Sequence, residues 1–151
     1  MTRKGFTLIE LLVVIIVLGV LAGIAVMKYI DLRRAALAAQ VAAELHAVRV
    51  GAFNYFAEKE AWPAEAGAGA VPIGLGPLLP GQLATSFDRV DYLLDYDNFG
   101  STATEVMIGV AVTTSDPMLM AKFIQTLGTK WPFFVSGNRL TYLIAGPGGI
   151  M

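Results

Sequence analysis

Residues 1–29, MTRKGFTLIELLVVIIVLGVLAGIAVMKY, decide what kind of protein this is. From Phe6 to Met27 the chain carries 22 residues with a single charge, and that charge is a carboxylate, Glu10. As a helix rising 1.5 Å per residue the run reaches about 33 Å, enough to cross a hydrocarbon core of about 30 Å. A secretory signal peptide would have an apolar core of about 7–15 residues with a small-x-small cleavage site close behind it. Here the run is longer, and the nearest such triplet, Ala36-Leu37-Ala38, lies beyond Lys28, Asp31, Arg33 and Arg34. The segment therefore reads as a retained span. Charge alone does not orient it, because Arg3 and Lys4 precede it while Lys28, Arg33 and Arg34 follow it.

Composition agrees with one small domain on an apolar stalk. The 151 residues are 56% hydrophobic and only 15% charged, too apolar for an ordinary soluble chain until the long run is set aside. The net charge is −1, and no basic cluster exists beyond Arg33 and Arg34, so neither a nucleic-acid footprint nor a polybasic lipid-binding surface is visible. Cysteine is absent, which removes disulfides and thiolate chemistry but says nothing of compartment.

Helical signals continue past the span. Leu37, Val41, Leu45, Val48, Ala52 and Tyr55 or Phe56 recur at three or four residues, forming one apolar stripe, with Arg34, Glu44, Arg49, Glu58 and Lys59 left for the other faces. A helix from Phe6 to about Ala61 would be roughly 84 Å long, and its second half needs a packing partner. Trp62-Pro63 is expected to end it, since proline disfavours the helical conformation of the residue before it. Residues 64–83, AEAGAGAVPIGLGPLLPGQL, read as a loop crossing the top of the helix, and its glycines lack the strand, helix and Lys-Ser/Thr of a phosphate cradle.

Strand-like runs follow at Arg89–Tyr96, Glu105–Thr114, Trp131–Val135 and Leu140–Ala145, with turns expected at Asp97-Asn98-Phe99-Gly100 and Ser136-Gly137-Asn138. Between the pairs, Asp116 as N-cap and Pro117 at the first position start a short helix, MLMAKFIQTL, that stops at Gly128. The expected fold is α+β: a long N-terminal helix packed on an antiparallel sheet of three or four strands. Gly146-Pro147-Gly148-Gly149 reads as a flexible end or a surface turn.

The N-terminus, KGFTLIELLVVIIVLGVLAGIA, resembles the class III signal of type IV pilins and of the pseudopilins of type II secretion systems: a short basic leader ending in Lys4-Gly5, then Phe6, Thr7, Leu8, Ile9, Glu10 and an unbroken apolar span. The motif covers about 20 residues; the rest of the chain resembles the family only in architecture. The resemblance implies that a prepilin peptidase cuts between Gly5 and Phe6 on the cytoplasmic side and methylates the new amine of Phe6. It also implies a leader at 1–5, a transmembrane and filament-core helix at 6–27, an amphipathic helix at 28–61, and a loop plus sheet at 62–151. The chain would be a single-pass protein of the cytoplasmic (inner) membrane with its N-terminus inside. An inner-membrane assembly platform would then move it into an extracytoplasmic filament of pilin or pseudopilin subunits.

Physical chemistry gives Glu10 a role within that expectation. Four residues past Phe6 it lies about 6 Å along the helix, shallow enough for a carboxylate to reach headgroups, whereas a dry filament core would penalise it unless it were paired. Cleavage would supply the partner, an α-amino group at Phe6 of an adjacent helix, with a reference pKa near 7.7–8.0. Gly19 and Gly23 form a small-xxx-small pattern that lets helices approach closely. Many family members carry a proline near the end of the span where this chain has Met27, so a kink there is not expected from sequence. Removing the leader takes away Arg3 and Lys4 and moves the net charge from −1 to −3.

No catalytic site or cofactor is expected. His46 is the single histidine and lies in the amphipathic helix with no Ser-acid partner nearby, which favours a structural role. Asp88, Asp91, Asp95, Asp97 and Asn98 offer oxygen ligands of the kind calcium takes, but not at the spacing of a calcium loop; some pseudopilins bind calcium, which leaves that ion open. The alternative to a filament subunit is a monomeric signal-anchored extracytoplasmic binding domain whose long helix is merely a stalk.

Overall fold

A computed structural model describes residues 5–100, 106–128, 131–146 and 149–150. The first helix, α1, runs unbroken over Leu8–Lys59, with no kink at Met27. Its two halves have opposite surroundings. From Leu8 to Leu32 every side chain is exposed. Beyond Arg34, Ala38, Val41, Leu45, Val48 and Ala52 are buried at alternating spacings of three and four, a seam of the kind that packs one helix face continuously against a partner. The stripe expected from sequence starts one residue early: Leu37 is half-buried and Ala38 is the core residue.

The helix also stops earlier than the Trp62-Pro63 signal implied. Glu60 takes a left-handed conformation (φ 53°, ψ 23°), and its amide donates to the Phe56 carbonyl at 2.8 Å. Trp62 then folds back to stack on Phe56 at 4.7 Å between ring centroids and to meet Phe53 edge-on at 5.5 Å. This aromatic closure, rather than the restriction that Pro63 places on Trp62, sets the end.

The loop that follows does not simply cross the helix top; it descends the flank of α1. A Cβ on Gly74 would lie 2.9 Å from Tyr55, and one on Gly51 would lie 2.8 Å from Leu79, so two glycines permit the close approach. Two 3-10 turns, Gly76–Leu78 and Gly81–Ala84, bury Leu75, Leu79, Leu83 and Phe87 against the helix. Lower down, Glu44 accepts from Tyr92 Oη at 2.9 Å and from Arg89 Nε at 3.4 Å. Lowest of all, Arg33 donates to both oxygens of Asp91 at 2.8 and 2.9 Å.

From there the chain turns upward into an antiparallel sheet of β1 (Leu93–Asn98), β2 (Ile108–Thr113), β3 (Phe133–Ser136), β4 (Arg139–Gly146) and β5 (Gly149–Ile150), in the order β1-β2-β4-β3 with β5 on β4. The expected first strand began at Arg89, but residues 89–92 are used for the turn at the base. Asp97 and Asn98 belong to β1 and not to the turn after it, so that turn starts at Phe99; residues 101–105 lie outside the described ones. Gly137, at φ 61°, makes the two-residue link between the paired Ser136 and Arg139. Gly146 of β4 pairs with Gly149 of β5, while Pro147 and Gly148, expected in a flexible end or surface turn, lie outside the described residues.

The second helix, α2 (Pro117–Leu127), begins and ends as its sequence signals require. Asp116 accepts from the amides of Met118 and Leu119 at 2.9 and 3.3 Å, and Gly128 closes the helix at φ 59°. Arg34 holds its start at 3.0 Å, and its last residue, Leu127, lies beside Ala42, Leu45 and His46, so α2 runs parallel to α1. Leu119, Met120, Phe123 and Leu127 join the α1 seam and the Leu94, Tyr96, Val110, Val112, Leu140, Tyr142 and Ile144 side chains in one core. The architecture is α+β and pilin-like.

Candidate assembly site at the helix N-terminus

The exposed half of α1 is where the sequence placed its functional residues. Thr7, extended at φ −82° and ψ 150°, is the N-cap. Its hydroxyl accepts from the Glu10 amide at 3.3 Å, while the Glu10 Oε2 atom accepts from the Thr7 amide at 2.9 Å and from the Thr7 hydroxyl at 2.8 Å. This reciprocal capping box satisfies donors that helix geometry leaves open in the first turn. Glu10 is thus bonded within its own chain at the end of the helix, where the positive pole of the helix dipole also favours a carboxylate. This cap is not among the expectations drawn from sequence, although its signal, Thr-x-x-Glu before an apolar run, stands at residues 7–10.

Gly5 and Phe6 precede the cap, exposed and outside the helix. Gly19 and Gly23 sit one turn apart, with nothing within 4 Å of where a Cβ would be. They mark a strip along which another helix could approach to backbone distance. Leu8–Lys59 is the one helix among the described residues long and apolar enough to cross a membrane.

The other residues singled out from sequence are structural in geometry. His46 is exposed on α1 and meets the Trp131 ring edge-on at 5.8 Å. Trp131 in turn meets Tyr142 at 5.4 Å, and Tyr142 Oη accepts from Arg49 at 2.9 Å. The acidic stretch does not converge on one point. Asp91 is held by Arg33, Asn98 donates to the Pro63 carbonyl, and Asp95 and Asp97 both bind Arg139 from across the sheet. That reach passes over β2, where the residues paired with Asp97 and Asp95 are the small Gly109 and Ala111. Among the described residues no group of three or more acidic or histidine side chains could hold a metal ion.

Comparison with known proteins bears on the N-terminus. Residues 1–26 match the prokaryotic N-terminal methylation motif. The chain is similar to the type IV narrow pilus major component PilA5 of Thermus thermophilus, 51% identical over 49 residues, which is 32% of this chain and 42% of that protein. The similarity therefore spans less than half of the relative. No solved structure matches the chain. In its N-terminal motif and in its long helix packed on a small antiparallel sheet, the chain is similar to type IV pilins.

Proposed function

We propose that the chain is a structural subunit of a type IV pilus, without catalytic activity of its own, that waits in the cytoplasmic membrane and then polymerises through the exposed half of α1. One observation carries this: from Leu8 to Met27 a fully exposed apolar helix, interrupted only by Glu10, projects from a head that has already buried its own core. An apolar helical surface of this length left in water would be a severe hydrophobic cost, so lipid or other copies of the same helix must cover it. A membrane covers it in the monomer, and a bundle of neighbouring helices covers it in a filament.

Processing fits the same surface. A prepilin peptidase would cut between Gly5 and Phe6 and methylate the amine of Phe6, the residue next to the Thr7 cap. In the monomer Glu10 closes its own helix; in the filament its carboxylate would face the Phe6 amine of the next subunit, fixing axial register. Gly19 and Gly23 would lie along the helix contacts. The similarity to a pilus component of Thermus favours a pilus over a secretion pseudopilus. A Glu10→Ala chain should still insert and be cleaved, yet fail to enter sheared filaments. Filaments at the wild-type level from Glu10→Ala would mean that the carboxylate is not an assembly residue.

A further inference from the structure

Two turns form the underside of the head, residues 89–92 between the descending loop and β1, and residues 114–117 between β2 and α2. They are tied to each other, since Thr114 Oγ1 donates to the Asp91 carbonyl at 2.9 Å. Both are tied to α1 at one level, by Arg33 on Asp91 and Arg34 on Asp116. A cleft of about 350 Å³ brings Val90, Asp91 and Ser115 beside Tyr29 and Ile30. At the tips of this underside the side chains are apolar and open: Val90 is 100% exposed and Met118, in the first turn of α2, is 63% exposed, while Tyr29 on the adjoining helix is 68% exposed.

The axial position of this patch selects its partner. The apolar run ends at Met27, and Tyr29 and Ile30 follow two and three residues later, about 3–5 Å further along the helix. The headgroup zone of a leaflet is about 5–8 Å deep, the difference between a bilayer of 40–45 Å and its 30 Å hydrocarbon core shared over two sides. A span seated at Phe6–Met27 therefore puts Tyr29 and Ile30, with Val90 beside them, among the headgroups, and Arg33 and Arg34, about 9–11 Å past Met27, at their outer edge. We propose that Val90 and Met118, together with Tyr29, contact the lipid headgroups, so that the head sits on the bilayer as a second membrane contact before assembly. This inference rests on the membrane-anchored reading of the span.

Three features support lipid as the occupant. The patch is continuous with the span, through Tyr29, Ile30 and Leu32 on exposed α1 surface. Tyr29 is an amphipathic ring at the depth where such rings collect. The charges at this level, Lys28, Arg33 and Arg34 against Asp31, Asp91 and Asp116, balance. An electrostatic attraction to anionic lipid is therefore not what holds the head down; the apolar tips do, and the two ion pairs keep them aimed by preventing the head from swinging on α1.

The chain lacks cysteine, so single spin labels can be placed without background. The full-length chain would carry Val90→Cys, Met118→Cys, Leu21→Cys or Ile73→Cys, each labelled with a nitroxide in vesicles of phosphatidylethanolamine and phosphatidylglycerol. Leu21 marks the span, and Ile73, 91% exposed beside Gly74 on the Tyr55 level of α1, marks water. The ratio of collision rates with oxygen and with a nickel chelate should fall at positions 90 and 118 between the values at 21 and 73, and should be the same in vesicles of phosphatidylcholine alone. Values at 90 and 118 equal to that at 73, with 21 still in lipid, overturn the second contact and leave the span standing. Spin–spin broadening at 90 or 118 overturns it in favour of a second copy of the chain. A water-like value at 21 overturns the membrane reading itself.

Discussion

The Thr7 hydroxyl donates to the Glu10 carboxylate at 2.8 Å while accepting from the Glu10 amide at 3.3 Å, so the one acidic residue of the span is already bonded within its own chain. Filament entry, on the function proposed above, exchanges this local bond for one to the Phe6 amine of a neighbour. The exchange separates two properties of Glu10. Glutamine at the third helical position can complete a capping box as glutamate does, but it has no charge to offer an amine. Glu10→Gln should therefore keep the helix start and lose filaments as fully as Glu10→Ala. Filament yield in sheared fractions measures this, and a wild-type yield from Glu10→Gln would assign the residue to the cap alone.

Arg139 donates to Asp95 at 2.9 Å and also to Asp97, two carboxylates that are almost fully buried. Replacing it by leucine should cost about 3 kcal/mol at neutral pH, because removing one partner strands buried charge. Burial holds the Asp97 carboxyl above its ordinary range, with Arg139 opposing that rise. A carboxyl raised on folding stabilises below its unfolded value and loses that contribution as pH climbs through its folded value. The Arg139→Leu penalty should accordingly shrink as pH falls toward about 4. Denaturant titrations of the full-length chain in mild detergent would read it; a penalty independent of pH would contradict the arrangement.

Asp116 carries two duties, capping α2 and binding Arg34. Burial acts to raise its carboxyl, but the Arg34 guanidinium and the Leu119 and Met118 amides outweigh it and hold the group below the usual carboxylate range. A group lowered on folding stabilises above its unfolded value and loses that contribution as pH falls through its folded one. Asn caps helices about as well as Asp. Asp116→Asn should thus melt below wild type at about pH 6 and converge with it in strong acid, whereas Asp116→Ala should melt lower at both.

Tyr96 is fully buried, and its hydroxyl has no hydrogen-bond partner among the described residues. A buried unsatisfied hydroxyl costs about 1–3 kcal/mol, while its ring fills the core between sheet and helix. Tyr96→Phe should keep the packing and raise stability by about 1 kcal/mol. Loss of stability in that variant would mean that the hydroxyl is bonded.

How much of this was legible in sequence depends on the range of the interaction. The Val41-Leu45-Val48-Ala52 seam and Asp116-Pro117 are local patterns, and each formed the element its spacing implied. The ends of elements were harder, because Glu60 ends α1 through an aromatic contact that brings Trp62 back onto Phe56. Contacts across 58 and 82 residues, Arg33 to Asp91 and Arg34 to Asp116, leave no periodic trace. The acidic stretch shows the cost: Asp95 and Asp97 looked like ion ligands while their partner, Arg139, lay two strands away in the sheet.

The most direct measurement on the central claim is the intact mass, with N-terminal fragmentation, of the chain recovered from native membranes and from sheared filaments. The account expects a chain that begins at methylated Phe6 in both fractions. A chain that still begins at Met1, in cells with an active prepilin peptidase, would contradict it and leave a signal-anchored domain that does not polymerise.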